Sequence, residues 1–246
     1  MFRILFLLGV CAGLWASPAL AQEKSATKPG FTLDPGSACI VLFRPSITVG
    51  AQSAGGAYRV NADWTAQARD NIGAELAVLQ DGLGNQVVPA PELFGNDAEA
   101  LADYNALFGV IAESVINYKF FVGNRLPTKK RDGVFDWTMG SGVARLAGDT
   151  GCKYGLFIFT EDQIGSTGRK ALQIVAMLAS VSVKSGEHKG YAGLIDLRSG
   201  DLVWLNADMA MGGDVRTREG ANKRVTQLLE DFPGRPPVAA NVSTSR

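Results

Sequence analysis

Few side chains in this chain are placed to carry a reaction. It has one histidine, His188, set between Glu187 and Lys189. A serine-type hydrolase would have to pass its proton through that imidazole. The polar neighbours mark an exposed turn, and no Gly-x-Ser-x-Gly elbow accompanies it. The cysteines are Cys11, Cys39 and Cys152. With a single histidine they do not make a zinc-binding spacing. The expectation is no catalytic set, no metal site and no cofactor.

Two groupings could bind a ligand. The first is Gly165-Ser166-Thr167-Gly168-Arg169-Lys170. Backbone amides at a helix start, with Arg169 and Lys170 beside them, could hold an anion. The spacing is not that of a Walker loop, and the plainer alternative is a connection with turn glycines. The second is Glu161 and Asp162 at the end of one strong strand, with Arg44 at the matching end of another. Ligands of open α/β sheets favour that edge. These three form either a site or an ion-pair network that fixes loops. The ligand-binding candidates are therefore Arg44, Glu161, Asp162, Ser166, Arg169 and Lys170.

The N-terminus reads as an export address. Met1-Phe2-Arg3 carries a positive charge, an apolar run follows from Ile4 to Ala16, and Ser17-Pro18-Ala19-Leu20-Ala21 ends in an Ala-x-Ala pattern. The run is short of the roughly 20 residues that span a bilayer as a helix. Cleavage is expected between Ala21 and Gln22. Leu8-Gly9-Val10-Cys11 superficially resembles a lipobox, but Val10 is β-branched where a small residue belongs. The expectation is a periplasmic or secreted protein without a lipid anchor. Cys11 leaves with the signal peptide. In an oxidising compartment Cys39 and Cys152 then read as a disulfide, the alternative being two buried thiols. Lysine plus arginine and aspartate plus glutamate number 24 each. That balance gives no electrostatic case for nucleic acid or an anionic membrane. Lys129-Lys130-Arg131 reads as a solvated loop.

The elements that must position these residues alternate between strand and helix. Cys39 to Phe43 is a continuous apolar run, as in a strand buried on both faces. A Gly/Ser-rich loop from Val49 to Gly56 leads to a helix over Ala62–Asp81, capped by Gly82. Gln86 to Pro89 is a short strand, Asp97 to Ile116 a helix, and Tyr118 to Val122 a short strand. Asp136 caps a helix running to Ala147. Lys153 to Thr160 is the second strong strand, followed by a polar loop over Glu161–Gly168. Ala171 to Val183 is an apolar stretch, read as a buried element or else as a surface that meets a partner or a membrane. Tyr191–Leu197 and Asp201–Met209 make a hairpin about Arg198-Ser199-Gly200. A last helix spans Thr217–Phe232. The fold class is α/β, with a mixed, largely parallel sheet, a C-terminal antiparallel hairpin and helices packed on it. The division is a signal peptide over 1–21, a flexible leader over 22–37, one domain over 38–232 and a disordered tail over 233–246. If the two strong strands are parallel neighbours, Cys39 and Cys152 lie at one end of the sheet, within disulfide reach.

The strand Tyr154-Gly155-Leu156-Phe157-Ile158-Phe159, the stretch Ile174 to Leu178 and the hairpin Ile195-Asp196-Leu197-Arg198-Ser199-Gly200-Asp201-Leu202-Val203-Trp204 carry a resemblance. Over residues 38 to 232 the chain resembles bacterial envelope proteins related to the curli-secretion-channel lipoprotein and the TolB N-terminal domain. It departs from the channel in lacking a well-formed lipid-bearing cysteine. It also has no pair of roughly 10-residue alternating segments for a membrane barrel. The resemblance implies the globular periplasmic scaffold and not the pore. The implied role is a non-enzymatic accessory or scaffolding component that binds other envelope proteins or itself. The alternative is a periplasmic small-ligand or anion-binding protein that uses the Gly165–Lys170 loop.

Overall fold

The computed structural model describes residues 24–121, 134–184 and 186–235. The expected cleavage point at Ala21–Gln22, the Lys129–Arg131 cluster and residues 236–246 of the expected tail lie outside them. In chain order the elements are β1 (Ser25–Thr27), β2 (Cys39–Leu42), β3 (Ser46–Gln52), β4 (Tyr58–Val60), α1 (Ala62–Leu79), β5 (Gln86–Pro89), α2 (Asn96–Val115), β6 (Tyr154–Gly165), α3 (Thr167–Leu178), β7 (Glu187–Asp196), β8 (Leu202–Asp208) and α4 (Arg218–Leu228).

One mixed sheet organises them, in the order β1-β8-β7-β6-β2-β5 with the β3–β4 pair joined to β6. Its β5-β2-β6 part and the β3–β6 pairing are parallel. The β6-β7-β8-β1 part and the β3–β4 pair are antiparallel. This is the expected α/β fold with a mixed sheet and the hairpin at its heart. Antiparallel pairings predominate where a largely parallel sheet was expected, because the long β6 pairs along most of its length with the hairpin.

Strand alternation sorts the core into two layers. Val41, Phe43, Phe157, Tyr191 and Leu205 point to the face covered by α2 and a 3-10 segment over Ser141–Thr150. Ile40, Leu156, Ile158, Leu194 and Trp204 point to the face covered by α1 and α4. Trp204 is fully buried there, edge-on to Phe232 at 5.1 Å between centroids. The parallel register of Ile40 opposite Tyr154 puts Cys39 and Cys152 at one end of the sheet. They form a disulfide with Cα atoms 4.7 Å apart, 113 positions apart in sequence.

Several elements differ from the sequence expectation. The leader is not featureless. Residues 25–27 pair with Asn206–Trp204 of β8, Lys28 bonds Asp201 at 2.7 Å, and Leu33 is buried. An edge strand needs a partner for its backbone more than it needs apolar side chains, so composition does not show it. The first half of the glycine-rich 49–56 stretch is strand, since β3 runs on to Gln52. A Cβ at Gly50 would meet the Arg59 carbonyl oxygen at 2.2 Å, so that glycine permits a close cross-strand approach and does not mark a turn. The polar 161–168 stretch is also largely strand, since β6 runs on to Gly165. Residues 134–140 take no regular structure beyond an isolated bridge from Thr138 to Asp201. The helix expected from Asp136 is replaced by the 3-10 segment, which breaks at Gly148. Ile116–Phe120 is a π-helical turn in place of the expected strand. Gly84, and not Gly82, takes the left-handed conformation that ends the α1 region.

Candidate functional site

The pleat separates the two expected carboxylates. Glu161 and Asp162 are consecutive in β6 and therefore point to opposite faces. Glu161 lies 3.6 Å from Lys189, whose ammonium also meets Glu113 of α2 at 3.1 Å. Burial pulls the Lys189 pKa down, but the hydrogen bond to Glu113 and the surrounding carboxylates outweigh it and the net shift is upward. Asp162 is on the other face and is buried, 1% exposed. Arg44 joins neither. Its guanidinium sits 3.4 Å from Glu92 in a solvent-exposed pair.

What Asp162 meets is a residue the sequence reading missed. Arg224 of α4 is completely buried. Its Nη1 donates to Asp162 Oδ1 at 2.8 Å and its Nη2 to Oδ2 at 3.3 Å. It also donates to the Gly212 and Gly213 carbonyls, each at 3.1 Å, and to the Thr160 hydroxyl. This two-pronged geometry is the strong form of the pair. His188, opposite Asp162 in the β6–β7 register, brings Nδ1 to 3.3 Å from Asp162 Oδ1 without hydrogen-bond alignment. Far from occupying an exposed turn, it lies in a strand. The carboxylate that would orient it is held by Arg224, so the cluster locks α4 and the Gly212–Gly213 turn to the sheet.

The glycine loop is likewise engaged in structure. The Ser166 hydroxyl accepts from the Arg169 amide and caps α3. The Arg169 guanidinium donates to the Ala54 carbonyl at 3.1 Å and to that of Lys184 at 2.9 Å. Two of the groups expected to hold an anion thus hold the chain itself. Lys170 is exposed on the first turn of α3.

Two further surface features stand out among the described residues. A cleft of about 930 Å³ opens at the carboxyl ends of β2 and β5. Arg44, Arg69, Glu92, Asn105 and Glu113 bring polar groups to it, and Leu101, Val110 and Phe159 line it with apolar surface. The second is α3. From Ala171 to Leu178 only Ala176 is buried. Leu172, Ile174, Val175, Met177, Leu178 and, just beyond, Val181 are exposed, Met177 to 67% and Leu178 to 82%. The apolar stretch is therefore not core. It is a helix that turns its apolar side outward.

No family model and no curated protein matches the sequence. Among solved structures the chain is similar to the PelC dodecamer from Paraburkholderia phytofirmans. A leucine-to-methionine variant of that protein is 12% identical, covering 86% of this chain and 98% of that one at a TM-score of 0.34. A second crystal form is 13% identical, covering 87% and 97% at a TM-score of 0.34. The superposition is too loose to equate individual residues.

Proposed function

We propose that this protein is an exported, non-enzymatic component of the bacterial cell envelope that acts by docking on other envelope components through α3. The observation that carries this reading is the outward apolar face of that helix. Leaving several large aliphatic side chains in water has no structural return, and contiguous exposed apolar surface marks interaction sites. The Cys39–Cys152 disulfide supports an oxidising compartment, as does the signal-like N-terminus. No helix among the described residues is long and apolar enough to cross a membrane. The relation to the curli-channel and TolB-like group is part of the same proposal, resting on the Ile195–Trp204 hairpin. A photo-crosslinking residue at Val175, in intact envelopes, should capture a specific neighbour. Capture no greater than from a probe at Phe94, exposed elsewhere on the surface, would sink the reading.

The cleft favours a second reading, a small-ligand receptor with Arg44 at its mouth. Ligands that raise the melting temperature should lose that effect in Arg44→Ala and keep it in Arg169→Ala. The reverse pattern would return the site to the Gly165–Lys170 loop.

A further inference from the structure

We infer that the docking partner of α3 is an anionic lipid surface, on which α3 lies as a peripheral amphipathic helix with residues 179–184 beside it. This rests on the proposal that α3 is a docking element, and it names the partner. The near-neutral charge of the whole chain hides a local excess. From Thr167 to Lys184 there is no acidic residue, while Arg169, Lys170 and Lys184 are basic. The carbonyls that hold the Arg169 guanidinium orient it but do not neutralise it. Lys170 precedes the exposed apolar face by about one turn, and the Arg169 hydrogen bond to the Lys184 carbonyl brings Lys184 back beside that same end of the helix. Cations gathered at one end of an exposed aliphatic face fit the headgroup layer of an anionic bilayer while the aliphatic side chains enter the acyl layer, where such helices sink about 5–10 Å.

Geometry and charge disfavour a second copy. A two-fold contact through α3 would give the cations of each copy no acidic side chain from the other copy's segment, since 167–184 holds none. The helix is also a ridge and not a groove. Both of its ends are closed by the chain's own hydrogen bonds. Ser166 caps the start, Val181 N–H closes on the Ala176 carbonyl at 2.8 Å, and Ser180 takes a left-handed φ of 59° to end it.

The test uses the exported protein, with its N-terminus read by mass spectrometry. It is sedimented with vesicles of phosphatidylcholine alone and of phosphatidylcholine with phosphatidylglycerol. Binding should require the anionic lipid and weaken at high salt. Met177→Glu/Leu178→Glu should reduce it by about tenfold or more, and Lys170→Glu should reduce it too. Phe94→Glu should leave it unchanged. The double variant alters only exposed positions, so its circular dichroism should match the parent. Equal binding to neutral vesicles, or binding that survives the double variant, overturns the inference. If vesicles are not bound but the double variant loses a protein crosslink or self-association, the lipid assignment falls and docking through α3 stands. If the double variant changes nothing, both fall.

Discussion

Arg224 shows how a buried charge can be legible as a position and illegible as a residue. The face of α4 marked by Ala221, Val225 and Leu228 includes position 224 by helical spacing. A guanidinium there argues against burial until its partner is known. That partner, Asp162, is 62 positions away, in a stretch whose polarity suggests a loop. Breaking the pair by Arg224→Met should leave a carboxylate stranded in the core and destabilise the fold by about 3–5 kcal/mol. Replacing both, Asp162→Leu with Arg224→Met, should be much milder. Urea midpoints of the two variants measure the difference, and equal losses would deny the pairing its structural role. Arg169 is legible as a cation near a helix start. What it does, bonding the Ala54 and Lys184 carbonyls, depends on a β3–β4 turn whose glycines and serines suggest only loop. Arg169→Ala should cost about 1–2 kcal/mol through those hydrogen bonds, measured in the same way.

At the scale of elements, the strong strands and long helices are readable because their apolar periodicity is dictated by burial. β2, β5, the hairpin, α1, α2 and α4 all follow it. The stretches that are not readable obtain their order from neighbours. β1 is held by the open edge of β8, and β6 continues past Thr160 because β3 and β7 pair with it on both sides. A hydrogen bond from Lys28 holds the Asp201 carboxyl below its ordinary value of 3.8. A depressed folded value means this link contributes fully above the ordinary aspartate range and is lost as pH falls through the lower folded value. Protection of the Ser25–Thr27 amides from hydrogen exchange should therefore weaken on acidification through that range. In Asp201→Asn that pH dependence should shrink, by less than about 1 kcal/mol since both partners are partly solvated. Ser180→Gly, at the left-handed residue after α3, should stabilise that helix by about 1 kcal/mol. Helix-resolved exchange rates check it.

For the whole molecule, the disulfide joins the start of β2 to the residues just before β6 across 113 positions. Cys39→Ser/Cys152→Ser should lower stability by about 4–5 kcal/mol on the chain-entropy model. Denaturation with and without reductant should show the same loss in the parent protein. Its location is legible because two apolar runs predict parallel neighbours with a cysteine at the same end of each. The direction in which α3 faces is not legible, because an apolar stretch looks the same in sequence whether it faces a core or a bilayer.

The sheet ends in three rims, β1, β4 and β5, which are three, three and four residues long. β5 closes on Pro89, which has no N–H to offer, and β4 carries the exposed Arg59. Growth of fibrils by strand addition needs a long, flat, unpaired rim. Among the described residues the sheet gives such growth no long template and offers little to a donated strand. Any ordered polymer it joins has to be laid side by side through helices and loops, and crowding it at high concentration should yield amorphous association before cross-β ribbons.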